Sequence, residues 1–363
     1  MAGRAAFWWA LAVVVAVGLA AVDAPAQDRG TKLRVGFVYV GAIGDHGWTY
    51  EHNRARLQVE AEFGDRVETI YVENVPEDKE KALAVIDALV ANGVRLVFLT
   101  SFGYGPAAVE AAWRYPDVYF EHATGQWRAD NLSVYSPRFY EGRYLIGEIA
   151  GQLSKTGRAG YVGSFPIPEV IRGINAFALG ARSVNPKFKV EVGWVGSWFD
   201  PSKEAIVTRR LIKRGADVIT SHTDSPAPMK VADDLGLVAF GQASDMIAFG
   251  PRSQATAIVN SWGPYCVDRV RAVLDGSWVS VQVWNGLGAG MVDMAPYTNI
   301  PDRVARRAAS TKAEIVTGKR RVFAGPIQDR SGRVVVKEGR WLSDAALVEM
   351  GWYVKGIVGA LPK

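Results

Sequence analysis

Aromatic and short polar side chains recur just after the apolar runs of this sequence, where they could hold a small ligand. After the first run, residues 41–49 combine several glycines with a carboxylate and an indole. The candidate ligand-binding residues after this run and the later ones are Asp45, Trp48, Thr49, Ser101, Phe102, Trp198, Thr223, Asp224, Gln242, Asp245 and Trp262. Indoles can stack on a planar ring, while carboxylates, amides and hydroxyls satisfy its donors and acceptors. These residue types predict a binding site for a flat heterocycle.

Each of these residues also has a purely structural interpretation. A tryptophan that follows a strand often packs in the core, although Trp48 and Trp198 occupy equivalent positions in the two halves of the chain. An aspartate that follows a strand often caps the next helix, and this is the role predicted for Asp200. Both interpretations stay open for the three aspartates among the candidates.

Motifs for catalysis or for cofactor binding are missing from the sequence. Of its four histidines, His46 and His52 are six residues apart, which is not the spacing of a helical metal-binding pair. No Gly-Lys-Ser/Thr follows a glycine-rich loop, Gly-x-Ser-x-Gly is absent, and residues 286–290 lack the Rossmann spacing. We therefore expect no catalytic residue, no metal and no cofactor.

The N-terminus carries the pattern of a secretory signal peptide. Arg4 supplies a positive charge, residues 7–21 are continuously apolar, and Ala24 and Ala26 are the small residues that a signal peptidase recognises. Residues 1–26 are therefore predicted to be removed, which leaves a free periplasmic protein. A single membrane anchor is the alternative for this segment.

The overall charge does not favour nucleic acid as a partner. The formal net charge is +5, from 42 Lys and Arg against 37 Asp and Glu, and the basic residues are spread along the chain. A nucleic-acid-binding protein usually concentrates them in a stripe. Cys266 is the only cysteine, so an internal disulfide is impossible. We expect a monomer that is stabilised by packing.

Short β-branched runs alternate with amphipathic segments, and the alternation occurs twice. The first set predicts strands at residues 33–40, 67–72, 95–100 and 118–122, with helices at 49–63, 78–91 and 106–114. The second set predicts strands at residues 159–163, 189–195, 218–221 and 238–241, with helices at 140–153, 169–184, 202–214 and 226–235. Continuous apolar strands between helices are typical of parallel sheets covered on both faces. The fold class is therefore predicted as α/β, with two doubly wound lobes.

Extended segments at residues 131–137, 255–261 and 286–292 are predicted to connect the lobes as a hinge. The predicted domains are a signal peptide at 1–26, an N-terminal lobe at 27–135 plus 257–290, a C-terminal lobe at 136–256 plus 291–321, and a tail at 322–363. Ser331-Gly332 predicts a hairpin in this tail, which we expect to pack on the second lobe.

Several stretches, taken as an ordered set, resemble a known family. They are Val35-Gly36-Phe37, Gly44-Asp45-His46-Gly47-Trp48, Pro116-Asp117-Val118-Tyr119-Phe120, Tyr144-Leu145-Ile146-Gly147, Gly196-Ser197-Trp198-Phe199-Asp200-Pro201-Ser202-Lys203 and Gly241-Gln242-Ala243-Ser244-Asp245. The chain resembles the basic membrane protein family of ABC-transporter binding proteins over most of its length. This resemblance implies a fold like that of type I periplasmic binding proteins, a purine nucleoside or base as ligand, and an ABC permease and ATPase as partners.

The resemblance also implies roles for individual residues. Trp48 and Trp198 fall where the family clamps the purine, and Asp45 and Asp245 fall on acidic positions of its site. The family's aspartate after the fourth strand is replaced by Thr124. Its ribose-contacting lysine is replaced in the stretch Asn260-Ser261-Trp262-Gly263-Pro264, where Trp262 and Pro264 would fill the sugar's space. We therefore expect a free base, such as adenine, rather than a nucleoside.

Two other classes of function have sequence requirements of their own. An enzyme acting on purine derivatives, such as a nucleoside hydrolase, would need a cluster of carboxylates, usually with a metal. The ligand-sensing domain of a regulator would need a DNA-binding headpiece before residue 33, where the predicted signal peptide lies. Both alternatives are therefore less well supported than a transport protein.

Overall fold

The computed structural model describes residues 32–362. These residues fold around two large, mainly parallel β-sheets, each flanked by helices. The predicted signal peptide lies outside these residues. Within them, no helix is both long enough and apolar enough to cross a membrane.

The first of the two alternating sets of strands and helices forms most of the first sheet and its covering helices. Its elements are β1 (Leu33–Val38), α1 (Trp48–Phe63), β2 (Val67–Val72), α2 (Lys79–Ala91), β3 (Val94–Leu99), α3 (Gly105–Arg114), β4 (Tyr119–Ala123) and β5 (Leu132–Pro137). The last four residues of both β1 and β3 are buried, as expected for central strands of a parallel sheet. The buried apolar residues of α2 and α3 belong to one core cluster, whereas those of α1 belong to another.

The second sheet repeats this arrangement. Its elements are α4 (Phe139–Leu153), β6 (Arg158–Gly163), α5 (Pro168–Val184), β7 (Lys189–Trp194), α6 (Pro201–Lys213), β8 (Val218–His222), α7 (Ala227–Asp234), β9 (Val238–Gly241) and β10 (Gln254–Asn260). Asp200 caps α6 by accepting the amide of Lys203, which confirms its predicted role. Helices α4 and α5 pack closely because Gly147 and Gly180 have no side chain at the contact. A Cβ at either position would clash with the backbone of the facing helix.

The chain then returns to both sheets. The remaining elements are α8 (Gly263–Leu274), β11 (Gln282–Asn285), β12 (Val292–Met294), α9 (Asp302–Val316), β13 (Ile327–Gln328), β14 (Val334–Val336), α10 (Asp344–Val348) and β15 (Ile357–Val358). The first sheet has the order β11-β5-β4-β3-β1-β2, and the second β12-β10-β9-β8-β6-β7-β15. The predicted α/β fold with two lobes is therefore confirmed.

Three segments connect the sheets, after β5, after β10 and between β11 and β12. We call the first sheet with α1, α2, α3 and α8 the first lobe, and the second sheet with the other helices the second lobe. β10 pairs within the second sheet as far as Asn260, four residues past the predicted boundary at 256. In the tail, β13 and β14 form the predicted hairpin, and β15 pairs with β7 of the second sheet.

Candidate ligand-binding cleft between the lobes

A cleft lies between the lobes, at the carboxyl ends of the strands. Its lining residues are Val40, Trp48, Ser101, Phe102, Thr124, Glu169, Trp198, His222, Asp224 and Gln242. This is the edge at which open parallel sheets bind ligands, because loops from several strands meet there. The cleft encloses about 20 Å³, which is room for about one water molecule. A larger ligand therefore needs this space to widen, by movement of the lobes or of the side chains that line the cleft.

A second, larger chamber opens from the cleft toward the connecting strands β5 and β11. It encloses about 350 Å³ and shares Phe102, Thr124 and Glu169 with the cleft. Arg172 and Glu349 also line this chamber. The cleft therefore continues into a roomier, more polar space on the hinge side.

Trp48 enters the cleft from the first lobe, at the first residue of α1. Its ring packs edge-on against Trp262, with the centroids 5.2 Å apart, and lies 4.8 Å from the ring of His52. Its Nε1 donates a hydrogen bond to the carbonyl oxygen of Thr100 at 2.5 Å. These contacts fix the indole on one side of the cleft.

Trp198 enters from the second lobe, in the loop that follows β7. Its ring packs edge-on against Phe165, with the centroids 5.2 Å apart. Its Nε1 donates to Oε2 of Glu77 at 3.0 Å, and Glu77 belongs to the first lobe. The two indoles thus reach the same cleft from opposite lobes, and the bond to Glu77 joins the lobes.

The polar side of the cleft contains an acid, a histidine and a second acid. His222 Nε2 lies 3.5 Å from Oε1 of Glu169. Burial lowers the pKa of His222 to about 4, so this imidazole is neutral near pH 7. Burial, and then the charge of Asp45, raise the pKa of Asp224 well above its ordinary value. The cleft therefore offers a neutral imidazole and a carboxyl group whose charged form is disfavoured, beside the carboxyl group of Glu169.

Five of the candidate residues do not line the cleft. Asp45 accepts hydrogen bonds from the amides of Gly47, Thr49 and Tyr50 at the start of α1, so it caps this helix. Thr49 is buried beneath that cap, with its side chain turned toward Gly41. Their place in the sequence, just after a strand, did not distinguish a helix cap from a ligand contact.

The other three candidate residues outside the cleft are Thr223 and Asp245, which lie on the second lobe, and Trp262, which lies behind Trp48. Thr223 donates to Oε2 of the buried Glu204 at 2.7 Å. Asp245 is exposed and accepts hydrogen bonds from the amide of Ile247 and from Gln254. Trp262 is buried and stacks on His52, with the ring centroids 4.5 Å apart.

Four lining residues were not among the candidates. Thr124 and His222 belong to stretches that follow β4 and end β8, and Val40 comes two residues after β1. Glu169 lies in the first turn of α5, six residues after β6 ends. An acid in the first turn of a helix that follows a central strand was the sequence signal for this residue.

The lobes are in direct contact beside the cleft. Ser244 Oγ donates to the carbonyl oxygen of His46, and the ring of His46 lies 4.7 Å from that of Phe249. A Cβ on Gly47 would lie 2.6 Å from the carbonyl oxygen of Asp224, so only glycine fits at this approach. The structure therefore shows the lobes closed on each other. Within residues 32–362, no three His, Cys, Asp or Glu side chains are placed to hold a metal ion.

Two lobes that close on a cleft at their strand ends are the fold of type I periplasmic binding proteins. Solved structures share this fold. A solute-binding protein of an ABC transporter system from Aeropyrum pernix K1 superposes with a TM-score of 0.71 at 18% identity, over 82% of this chain and 93% of that one. One from Conexibacter woesei superposes with a TM-score of 0.66 at 21% identity, over 80% and 98%.

Sequence comparison gives the family. Residues 32–322 match the family described as ABC transporter substrate-binding protein, PnrA-like, and the chain belongs to this family. A purine-binding protein of Brucella abortus is 52% identical over 92% of this chain and 95% of the relative. A Haloferax volcanii protein named as an ABC transporter glucose-binding protein is 35% identical over 94% and 84%. Basic membrane proteins of Borreliella and Borrelia are more distant relatives, which confirms the resemblance noted in the sequence.

Proposed function

We propose that this protein delivers a purine base to an ABC importer, and that Trp48 and Trp198 hold the base between them. The signal peptide at residues 1–26 would direct it to the periplasm, where it meets the permease and its ATPase. The observation that carries this proposal is that two indoles from opposite lobes line one cleft. Stacking on both faces of a planar ring favours an aromatic heterocycle.

The polar residues of the cleft complement the indoles. Ser101, Thr124, Asp224 and Gln242 lie beside the rings and provide both donors and acceptors. The Brucella relative, which is named for purine binding, supports this class of ligand. The Haloferax relative is named for glucose, so a sugar is the ligand to exclude by experiment.

A free base is proposed in preference to a nucleoside. Where the resemblance places the family's ribose-contacting lysine, this chain carries Trp262 and Pro264, neither of which has a charged group for a sugar hydroxyl. Trp262 is instead committed to packing, with its ring against Trp48 and His52. Without that lysine, a ribose would gain no charged hydrogen-bond partner at this position.

Isothermal titration calorimetry of the mature protein tests this proposal. We expect adenine to bind with a Kd near the micromolar range or tighter, which corresponds to about 8 kcal/mol. Adenosine should bind more weakly than adenine, and glucose should give no heat of binding. Tighter binding of adenosine would contradict the preference for a base, and binding of glucose alone would contradict the purine proposal.

A further inference from the structure

A fully buried arginine lies beside the cleft without a carboxylate bound to it. Arg143, on α4, has no exposed surface. Its hydrogen bonds within residues 32–362 go to uncharged oxygens: the carbonyl of Ser221 at 2.8 Å, Oγ1 of Thr220 at 3.4 Å, and Oε1 of Gln242. Burying a cation without an ion pair costs several kcal/mol. An apolar residue would fill this space at lower cost, so the charge calls for a functional reason.

The bond from Arg143 determines how the amide of Gln242 is turned. A guanidinium group has only donors, so it must face the oxygen of the amide and not its nitrogen. Nε2 of Gln242, with its two N–H donors, is therefore on the other side. Gln242 lines the cleft, and no protein acceptor within residues 32–362 is hydrogen bonded to its Nε2. The free donors are thus available to a ligand.

The charge also strengthens those donors. When a cation donates to an amide oxygen, it polarises the amide, and the N–H groups at the other end become better donors. Little water reaches this site, because Gln242 is 2% exposed. A ligand without an acceptor at this point would leave a buried, polarised N–H unsatisfied, which costs more than a missing contact at the surface.

We infer that Arg143 is a positioning residue that fixes Gln242 as a hydrogen-bond donor, and that the cleft therefore selects heterocycles with a lone pair at the edge facing Gln242. Such an acceptor is an unprotonated ring nitrogen or a carbonyl oxygen. This inference rests on the proposed function and deepens it, since it names the pair of residues that reads the edge of the ring. Arg143 acts through Gln242 and need not touch the ligand.

Deaza analogues of adenine test this inference, because each replaces one ring nitrogen by C–H with little change of shape. The titrations compare adenine with 1-deaza-, 3-deaza- and 7-deazaadenine on the wild-type protein, Gln242→Glu and Arg143→Met. On the wild type, we expect one of the three analogues to bind about 10-fold or more weakly than adenine, which corresponds to about 1.4 kcal/mol. That analogue identifies the nitrogen that accepts from Gln242.

The variants separate positioning from simple packing. Gln242→Glu keeps the length of the side chain and its bond to Arg143 but has no N–H donor, so adenine should bind about 10-fold more weakly and the deaza penalty should disappear. In Arg143→Met the side-chain amide of Gln242 is free to rotate. The loss of affinity caused by the deaza substitution should therefore be smaller than in the wild type, even if adenine still binds. Gln152→Glu, on the same helix as Arg143, introduces the same charge away from the cleft and should behave like the wild type.

Each outcome bears on one claim. If the wild type binds adenine but all three analogues bind equally well, or if Gln242→Glu binds adenine as tightly as the wild type, the inference is overturned while the proposed function stands. If the wild type binds no purine at all, both are wrong. Circular dichroism melting of each variant identifies misfolding, and Gln242→Glu decides the matter if Arg143→Met does not fold.

Discussion

Trp48 and Trp198 each combine a ring that lines the cleft with a tethered N–H group. Nε1 of Trp48 is bound to the carbonyl of Thr100, and Nε1 of Trp198 is bound to Glu77. A side chain whose orientation is already fixed loses little conformational entropy when a ligand stacks on it. Trp48 is therefore oriented before the ligand arrives, because its partner Thr100 belongs to the same lobe, whereas the bond of Trp198 to Glu77 joins the two lobes and forms on closure.

Removal of one ring should weaken binding strongly. Trp198→Ala should cost about 1–3 kcal/mol, the value of one stacking contact with a base, so the Kd for adenine should rise about 5- to 150-fold. Trp198→Phe keeps a ring and should lose less. The control is Trp113→Ala, since Trp113 is 85% exposed and lies outside the cleft. Equal affinities of Trp198→Ala and wild type in calorimetry would contradict a stacking role.

A second residue-scale prediction concerns pH. Burial lowers the pKa of His122 to about 4, against about 6.5 for the same residue in an unfolded chain. As the pH falls below 6.5, His122 binds a proton in the unfolded state but not in the folded state. The free energy of unfolding therefore decreases until the pH reaches about 4. His122→Gln removes this titration. Between pH 7 and pH 5, the wild type should lose about 2 kcal/mol of unfolding free energy relative to the variant, as measured by urea denaturation. A difference that is independent of pH would contradict the prediction.

At the scale of elements, the loop from β2 to α2 connects the lobes through Glu77. Its carboxylate accepts hydrogen bonds from Ser101 Oγ at 2.5 Å, the amide of Gly103 at 2.8 Å, and Trp198 Nε1 at 3.0 Å. Ser101 and Trp198 both line the cleft. Glu77 thus holds the second lobe's indole against the first lobe.

Loss of Glu77 should make the closed form shorter-lived. In Glu77→Ala, stopped-flow dissociation of adenine should be about 10-fold faster, with a smaller change in the association rate, because the lost contact is made only after closure. Glu80→Ala, three residues along the same segment, is the matched control. Unchanged dissociation in Glu77→Ala would show that the contact does not hold the lobes together.

The loop before α1 makes another contact that depends on closure. Because a Cβ on Gly47 would clash with the carbonyl of Asp224, Gly47→Ala should hinder closure and weaken ligand binding by at least about 10-fold, with little loss of stability in either separate lobe. Gly44→Ala in the same loop has open space around its Cβ and should bind normally. Calorimetry and thermal melting of the two variants check this prediction. Equal binding by both would contradict it.

Most elements were predictable because the central strands are continuously buried and the helices between them are amphipathic. β11, by contrast, is an edge strand of four residues that are exposed or half-buried, so it carries no apolar run to detect. Helix α8 begins at Gly263-Pro264, directly after the predicted crossing at residues 255–261, and no helix was predicted there. Helix α8 packs against α1, and local sequence patterns do not reveal such a contact between distant parts of the chain.

The candidate site was predicted in part, for a related reason. A position after a strand places a residue at the correct edge of the sheet, as it did for Trp48, Trp198 and Gln242. It does not say which way the side chain turns. Asp45 faces three helix amides, and Asp245 faces solvent. The orientation depends on competing hydrogen bonds that form only in the folded chain.

At the scale of the whole molecule, three connections between the sheets allow one lobe to rotate against the other. Contacts that join the lobes in the closed form, such as that of Ser244 with His46, lie beside the cleft. A ligand that touches both lobes adds its binding energy to these contacts and so favours the closed form.

A crystal structure of the mature protein grown with adenine tests the central claim most directly. We expect the purine ring between Trp48 and Trp198, in stacking contact with both indoles, and an edge of the ring against Gln242. A base that contacts only one indole, or that lies in the hinge-side chamber near Arg172 and Glu349, would contradict the account.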